Sequence, residues 1–173
     1  MKRIVTALLF AAASYSTMAQ TDSNAPYPVR PRLNADLEFS IPGGEYGKQF
    51  GYGFGGSGGL DIPVTKSLYA TGAAGVMSFY QGGKETPVET RTYIPMKAGA
   101  KYYFSPVLYA QMELGTGLGI QQGAGTVFIM TPGVGASWRL TGRSAINTGI
   151  RFESWTREGG NISQLTFKVG YQF

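Results

Sequence analysis

The 173-residue sequence contains neither cysteine nor histidine. Disulfide scaffolds, the common zinc sites, Ser-His and Cys-His nucleophile pairs and anchoring through an N-terminal lipidated cysteine all lose their chemistry at once. Charge is scarce, at 14%, and no run of basic residues exists, which gives nucleic-acid binding little support. Past residue 19 nothing approaches 18 consecutive apolar residues, so no transmembrane helix is expected there. What is abundant is glycine, 26 residues and roughly twice the usual share, together with 13% aromatic residues.

The first residues read as an address. Met1, Lys2 and Arg3 are followed by an apolar stretch over residues 4–13 and a small, polar segment ending in Thr17, Met18 and Ala19. This is the layout of a secretory signal peptide, with cleavage expected after Ala19. Removing Lys2 and Arg3 lowers the formal net charge of +5 by two. Residues 20–32 hold Pro26, Pro28 and Pro31 among polar residues and read as an extended periplasmic lead-in. Residues 33–173 carry the patterned domain.

There the dominant period is two, the period of a strand. Leu165, Phe167, Val169, Tyr171 and Phe173 alternate with Gln164, Thr166, Lys168, Gly170 and Gln172; Leu33, Ala35, Leu37, Phe39 and Ile41 alternate with Asn34, Asp36, Glu38 and Ser40. The same holds for Leu108–Leu114 and for Ile146–Phe152. Phe50, Tyr52, Phe54, Leu60 and Ile62 oppose a glycine-rich face that includes Gly51, Gly53, Gly55, Gly59 and Asp61. Residues 68–80 form a strand of small residues without a clear parity. Two further strands run through Met96–Tyr103 and Met130–Arg139, which makes eight. Short turns at 63–67, 105–107 and 141–144 alternate with longer connections at 43–49, 81–91, 121–126 and 156–161. The repeat unit is therefore a hairpin, starting near Leu33, Leu68, Leu108 and Ile146 at intervals of 35, 40 and 38 residues. Leu68-Tyr69-Ala70 is echoed by Leu108-Tyr109-Ala110.

Alternation does not by itself choose between a soluble barrel, oily inside, and a membrane barrel, oily outside. Export, strands of about ten residues and turns of alternating length favour the membrane barrel. So do aromatics banded at both strand ends: Tyr102, Tyr103, Phe104, Trp138, Tyr171 and Phe173 at one, Phe50, Tyr52, Phe79, Tyr80, Tyr93 and Phe128 at the other. With its signal peptide, glycine- and aromatic-rich alternating strands and a final strand ending at Phe173, the sequence resembles the small outer-membrane β-barrel family of Gram-negative bacteria. The resemblance implies an eight-stranded antiparallel up-and-down transmembrane β-barrel in the cell outer membrane. It also implies that the aromatic C-terminal strand is read by the barrel assembly machinery, and that outer-membrane lipid and lipopolysaccharide surround the chain. A monomer is expected, with no peptidoglycan-binding domain after Phe173.

An eight-stranded barrel is just wide enough for side chains to fill it. The inward set reads Lys97, Lys101, Arg139, Arg151 and Lys168 against Asp36, Glu38, Glu113 and Glu153, close enough to balance that an ion-paired core is expected. The alternative is that the glycines of residues 51–59 leave room for a small ligand or a narrow conduit. Enzymatic members of the wider family depend on histidine, which this chain lacks, and Glu113 and Glu153 read as ion-pair partners, so no catalytic, cofactor or metal site is assigned. Pro95 and Pro132 fall inside strands and are expected at the outer rim or at bulges. Three functions stand side by side: a non-enzymatic outer-membrane barrel whose loops, with Lys84, Arg91 and Arg157, meet lipid phosphates; a narrow channel or transporter for small or apolar solutes; and a soluble periplasmic ligand-binding barrel.

Overall fold

A computed structural model describes residues 30–44, 50–81, 90–121, 123–140, 143–157 and 160–173. The signal peptide expected at residues 1–19 and most of the lead-in lie outside the described residues. Eight strands follow one another: β1 (Arg32–Gly43), β2 (Phe50–Pro63), β3 (Leu68–Gln81), β4 (Arg91–Tyr103), β5 (Leu108–Gly119), β6 (Thr126–Arg139), β7 (Ala145–Arg157) and β8 (Gly160–Gln172). Each pairs antiparallel with its neighbours in sequence order, and β1 pairs with β8 from Asn34↔Gln172 to Gly43↔Ser163, so the sheet closes into a barrel without an edge. Closure removes the exposed row of backbone donors and acceptors that an open sheet would present. At about 3.3 Å per residue and a tilt near 45°, strands of this length span roughly 30 Å, the thickness of a bilayer core.

The period-2 pattern decides which face is which, and the apolar face points out. Leu37 is 61% exposed and Val169 56%, while Asp36, Glu38 and Lys168 between and beside them are buried. Among the described residues no Lys, Arg, Asp or Glu takes an outward position on any strand. So large an exposed apolar surface has no place in water, where a monomer rarely shows a patch above a few hundred Å². It suits hydrocarbon.

The two echoed segments turn out to be one device used twice. Thr65 Oγ1 accepts hydrogen bonds from the backbone N–H of Ser67 (3.3 Å) and Leu68 (3.0 Å), and Ser105 Oγ accepts from those of Val107 (3.3 Å) and Leu108 (2.9 Å). The hydroxyl folds the turn locally, and the residue that follows each leucine, Tyr69 or Tyr109, then points inward.

Four expectations need correcting. The register shifts between Phe50 and Tyr52, so Phe50 points inward and Gly51 does not. Phe79, Tyr93 and Tyr103 also point inward, so the bands at the strand ends are thinner than their composition suggests; Tyr52, Phe128, Tyr102, Phe104, Trp138, Tyr171 and Phe173 stay exposed on the outer face. The strict alternation of short and long connections fails at the last hairpin, where Thr156↔Asn161 and Arg157↔Gly160 pair and two residues join β7 to β8. Pro95 and Pro132 occupy neither the rim nor a bulge. Opposite Pro95 the ladder lapses between Ala74↔Met96 and Met77↔Tyr93, and opposite Pro132 between Met130↔Ser154 and Gly133↔Arg151, with the register unchanged on both sides of each gap. Each proline interrupts pairing on one side and keeps it on the other, at Pro95↔Gly117 and Met112↔Pro132.

Candidate functional site

The lumen is filled in three levels. At its centre Arg151 of β7 draws carboxylates from three strands: Nη2 lies 2.7 Å from Glu38 Oε2 and 3.1 Å from Glu153 Oε1, and Nη1 lies 3.8 Å from Glu113 Oε2. Lys97 Nζ joins from β4, 3.2 Å from Glu153 Oε1 and 4.0 Å from Glu38 Oε2. Neutral donors add to these contacts. Ser57 Oγ donates to Glu38 (2.7 Å), Thr71 Oγ1 to Glu113 (3.0 Å), and Gln164 Nε2 to Glu153 (2.9 Å). A guanidinium serves here better than an ammonium, because its planar fork addresses several carboxylates at once.

Toward the short-turn end two further pairs cross the lumen, Lys168 Nζ to Asp36 Oδ2 at 3.0 Å and Lys101 Nζ to Asp61 Oδ2 at 2.5 Å. Below them Arg32 Nη2 donates to Tyr69 OH at 3.0 Å and Nη1 to Gln172 Oε1 at 3.3 Å, with the guanidinium carbon 4.8 Å from the centre of the Tyr69 ring. Tyr103 packs between Tyr69 (5.6 Å) and Tyr109 (5.5 Å), and Lys101 Nζ lies 5.0 Å from the Tyr109 ring centre. Tyr109 fits because position 135 is glycine: a Cβ there would collide with the phenol ring.

Toward the long-loop end the filling changes character. Phe50, Met77, Phe79, Tyr93, Val127, Ile129 and Trp155 form one buried cluster, with Phe79 and Tyr93 edge-on to Trp155 at 5.3 and 5.4 Å. The indole N–H donates to Glu153 Oε2 at 2.8 Å, joining the apolar level to the ionic one. Of the glycines read as a candidate ligand space, Gly53 and Gly55 face this cluster, while Gly59 lies beside Asn34 and Ala73. A Cβ on Gly53 would lie 2.9 Å from the Phe79 ring, and one on Gly55 would meet the Val76 carbonyl and Met77.

Of the sequence-expected inward charges, Asp36, Glu38, Lys97, Lys101, Glu113, Arg151, Glu153 and Lys168 are buried together. Arg139 is not. It keeps the inward parity but ends β6 at the exposed short-turn rim. Its place is taken by Arg32, and Asp61 adds the carboxylate that balances the account: among the described residues five buried cations meet five buried anions. Both additions sit near strand ends, where alternation is too brief to separate a facing residue from a turn residue; Asp61 does stand on the glycine-rich face already recognised. Trp155 was missed because residues 156–161 read as a loop, whereas β7 continues to Arg157.

The arrangement holds its ionisable groups against one another, with Glu113 and Glu153 both buried. An uncharged apolar belt outside, an ion-paired column inside and eight strands closed in chain order define the transmembrane β-barrel of the outer-membrane type. No family model and no curated protein sequence matches this chain. Solved structures do. Neisserial surface protein A (NspA) matches with a TM-score of 0.59 at 15% identity, covering 82% of this chain and 95% of that one. Ail, the attachment invasion locus protein of Yersinia pestis, matches with a TM-score of 0.56 at 12% identity, covering 83% and 97%. Ail in complex with the heparin analogue sucrose octasulfate gives 0.56 at 11% identity, with the same coverage. At these identities what is shared is the fold.

Proposed function

We propose that this chain is a non-enzymatic integral protein of the Gram-negative outer membrane, exported by a cleaved signal at residues 1–19 and working as a monomeric, solid-cored barrel. In this reading the core carries stability and the long-loop end carries contact with the cell exterior. The observation that supports it above all is the pairing, among the described residues, of strand faces free of charge outside with the buried Trp155 cluster and Arg151 network inside. A conduit would need a continuous wet path, and both the Trp155 cluster and the Arg151 network stand across it. The same features argue against the soluble periplasmic alternative, since exposed Leu37, Val169 and their neighbours would face water.

The outward contacts are anionic surfaces. Arg91 and Arg157 stand at the long-loop end, Arg157 Nη1 donating to the Ala124 carbonyl at 2.8 Å, and Lys84 lies in the connection between β3 and β4. Lipopolysaccharide phosphates are the ligands nearest to hand, and the sucrose octasulfate complex of Ail extends the chemical class to sulfated saccharides. The strand ending at Phe173 engages the barrel assembly machinery.

Two measurements test this reading. Carbonate washing of cell envelopes should leave the protein in the membrane; release would return it to the soluble class. Purified protein in planar bilayers should pass no discrete current steps, and reproducible steps would overturn the solid core in favour of the channel.

A further inference from the structure

The buried carboxylates of the lumen are not equally served. Asp36 and Asp61 each meet a lysine at hydrogen-bond distance, and Glu38 and Glu153 lie 2.7 and 3.1 Å from Arg151 Nη2. Glu113 is the exception. Its cation, Arg151 Nη1, stands 3.8 Å from Oε2, beyond hydrogen-bond range, and Thr71 donates only to the other oxygen, Oε1. Oε2 has no hydrogen-bond partner among the described residues, although Glu113 is 2% exposed.

A second shortfall stands beside the first. Thr131 of β6 is the register partner of Glu113 on β5 and is wholly buried, yet its Oγ1 is also without a partner. A buried hydroxyl can donate and accept, and leaving it bare is costly. Arg151 Nε is a third unpartnered group. The Arg151 stem runs over Gly133, two residues along from Thr131, where a Cβ would come within 2.6 Å of Arg151 Cγ.

The backbone adds a fourth. Pro132 keeps its pairing with Met112 on β5, while the ladder to β7 lapses between Met130↔Ser154 and Gly133↔Arg151. Proline has no N–H to give. In the unchanged register Pro132 faces Phe152, so the Phe152 carbonyl loses its ladder donor. In a wall that faces lipid, such an acceptor must be satisfied from within the protein. A carboxylate oxygen, a hydroxyl, a guanidinium N–H and a carbonyl therefore stand within two register steps of Thr131, each short of a partner.

We propose that this place is a binding site for one buried water molecule, donating to Glu113 Oε2 and the Phe152 carbonyl and accepting from Thr131 Oγ1 or Arg151 Nε. Buried waters make about three hydrogen bonds each, to groups of this kind. Polar groups separated by more than about 3.5 Å, as Arg151 and Glu113 are, are commonly joined through water. Charge decides against a metal ion. Among the described residues five buried cations already balance five buried anions, so an added cation would stay uncompensated. Water is neutral and supplies two donors and an acceptor at once. Pro132 then has a purpose in mid-strand: it withholds a backbone donor, and the water that replaces it couples the Arg151 network to the β6–β7 ladder.

The test is a crystal structure of the purified protein in detergent, at a resolution that shows ordered solvent, paired with water-to-amide nuclear Overhauser transfer in lipid nanodiscs. One solvent peak should lie within hydrogen-bond range of both Glu113 Oε2 and Thr131 Oγ1, and the Glu153 amide, next to the Phe152 carbonyl, should receive magnetisation from water. Both signals should be lost in T131V and kept in T131S. Heat-modifiable electrophoretic migration verifies that each variant is a closed barrel; if T131V fails to close, wild type and T131S carry the test. A direct bond from Arg151 to Glu113 with no solvent peak overturns the proposal, as does transfer that persists in T131V. Anomalous density at the site after exchange of sodium for rubidium would make it a cation site and would likewise overturn it.

Discussion

The two halves of the lumen are sealed by opposite physics. On the long-loop side Phe50, Met77, Phe79, Tyr93, Val127, Ile129 and Trp155 exclude water by packing apolar surface. On the other side ten charged side chains are buried, most of them in ion pairs with one another. The difference teaches where each half is fragile. An apolar plug loses in proportion to the volume removed and tolerates swaps of similar shape. An ionic network tolerates the joint loss of two partners far better than the loss of one, because a lone buried charge costs several kcal/mol.

The sharpest way to break the comparison is Arg151→Met, which leaves Glu38, Glu113 and Glu153 without their shared cation. We expect a loss of about 3–5 kcal/mol or more, read as a fall in the urea midpoint for folding into vesicles. Trp155→Ala should follow at about 3–5 kcal/mol, with Trp155→Phe losing less because it keeps an aromatic ring and forfeits only the hydrogen bond to Glu153 and part of the indole's volume. On the outer wall, Val169→Lys should cost about 2–4 kcal/mol at bilayer depth, whereas the same cation is native one residue earlier at Lys168. The ionic half is sharpened by a double-mutant cycle on Lys101 and Asp61. Lys101→Met or Asp61→Leu alone should cost about 3 kcal/mol, and the pair together should recover most of that loss. Smallest of all, Arg139→Gln should change stability by less than about 0.5 kcal/mol, since its side chain is exposed. A large effect there would return Arg139 to the lumen.

Much of this was legible in the alternation. The outward face of β1 and β8, the eight strands and the inward positions of Glu38, Lys97, Glu113, Arg151 and Glu153 follow from a side-chain period of two. The plug was not legible, for separable reasons. Alternation places Phe50 with Tyr52 and Phe54 on the outer face, but the slip between Phe50 and Tyr52 reverses its parity. Phe79 sits in a strand of small residues whose parity stays ambiguous until Tyr69 and Thr71 are seen to face inward with it. Tyr93 shares the parity of Lys97 and Lys101, yet aromatic character suggested an interfacial ring. Residues of one type can seal a lumen or mark a membrane boundary, and only the face on which they stand separates the two.

The sequence by itself determined, along the regular stretches of β1, β5, β7 and β8, which residues share a face, because backbone pleating sends neighbouring side chains to opposite sides whatever lies beyond. It also determined the number of strands and the two short turns in which Thr65 and Ser105 act on backbone only a few residues away. Which charge meets which was decided by the closed barrel. Lys101 reaches Asp61 and Lys168 reaches Asp36 at levels set by the stagger of all eight strands, and the joining of β1 to β8 from Asn34↔Gln172 onward fixes that stagger. A pairing between residues 132 positions apart, as in Lys168 with Asp36, has no local signal. It exists because the cylinder is narrow enough that opposite walls touch.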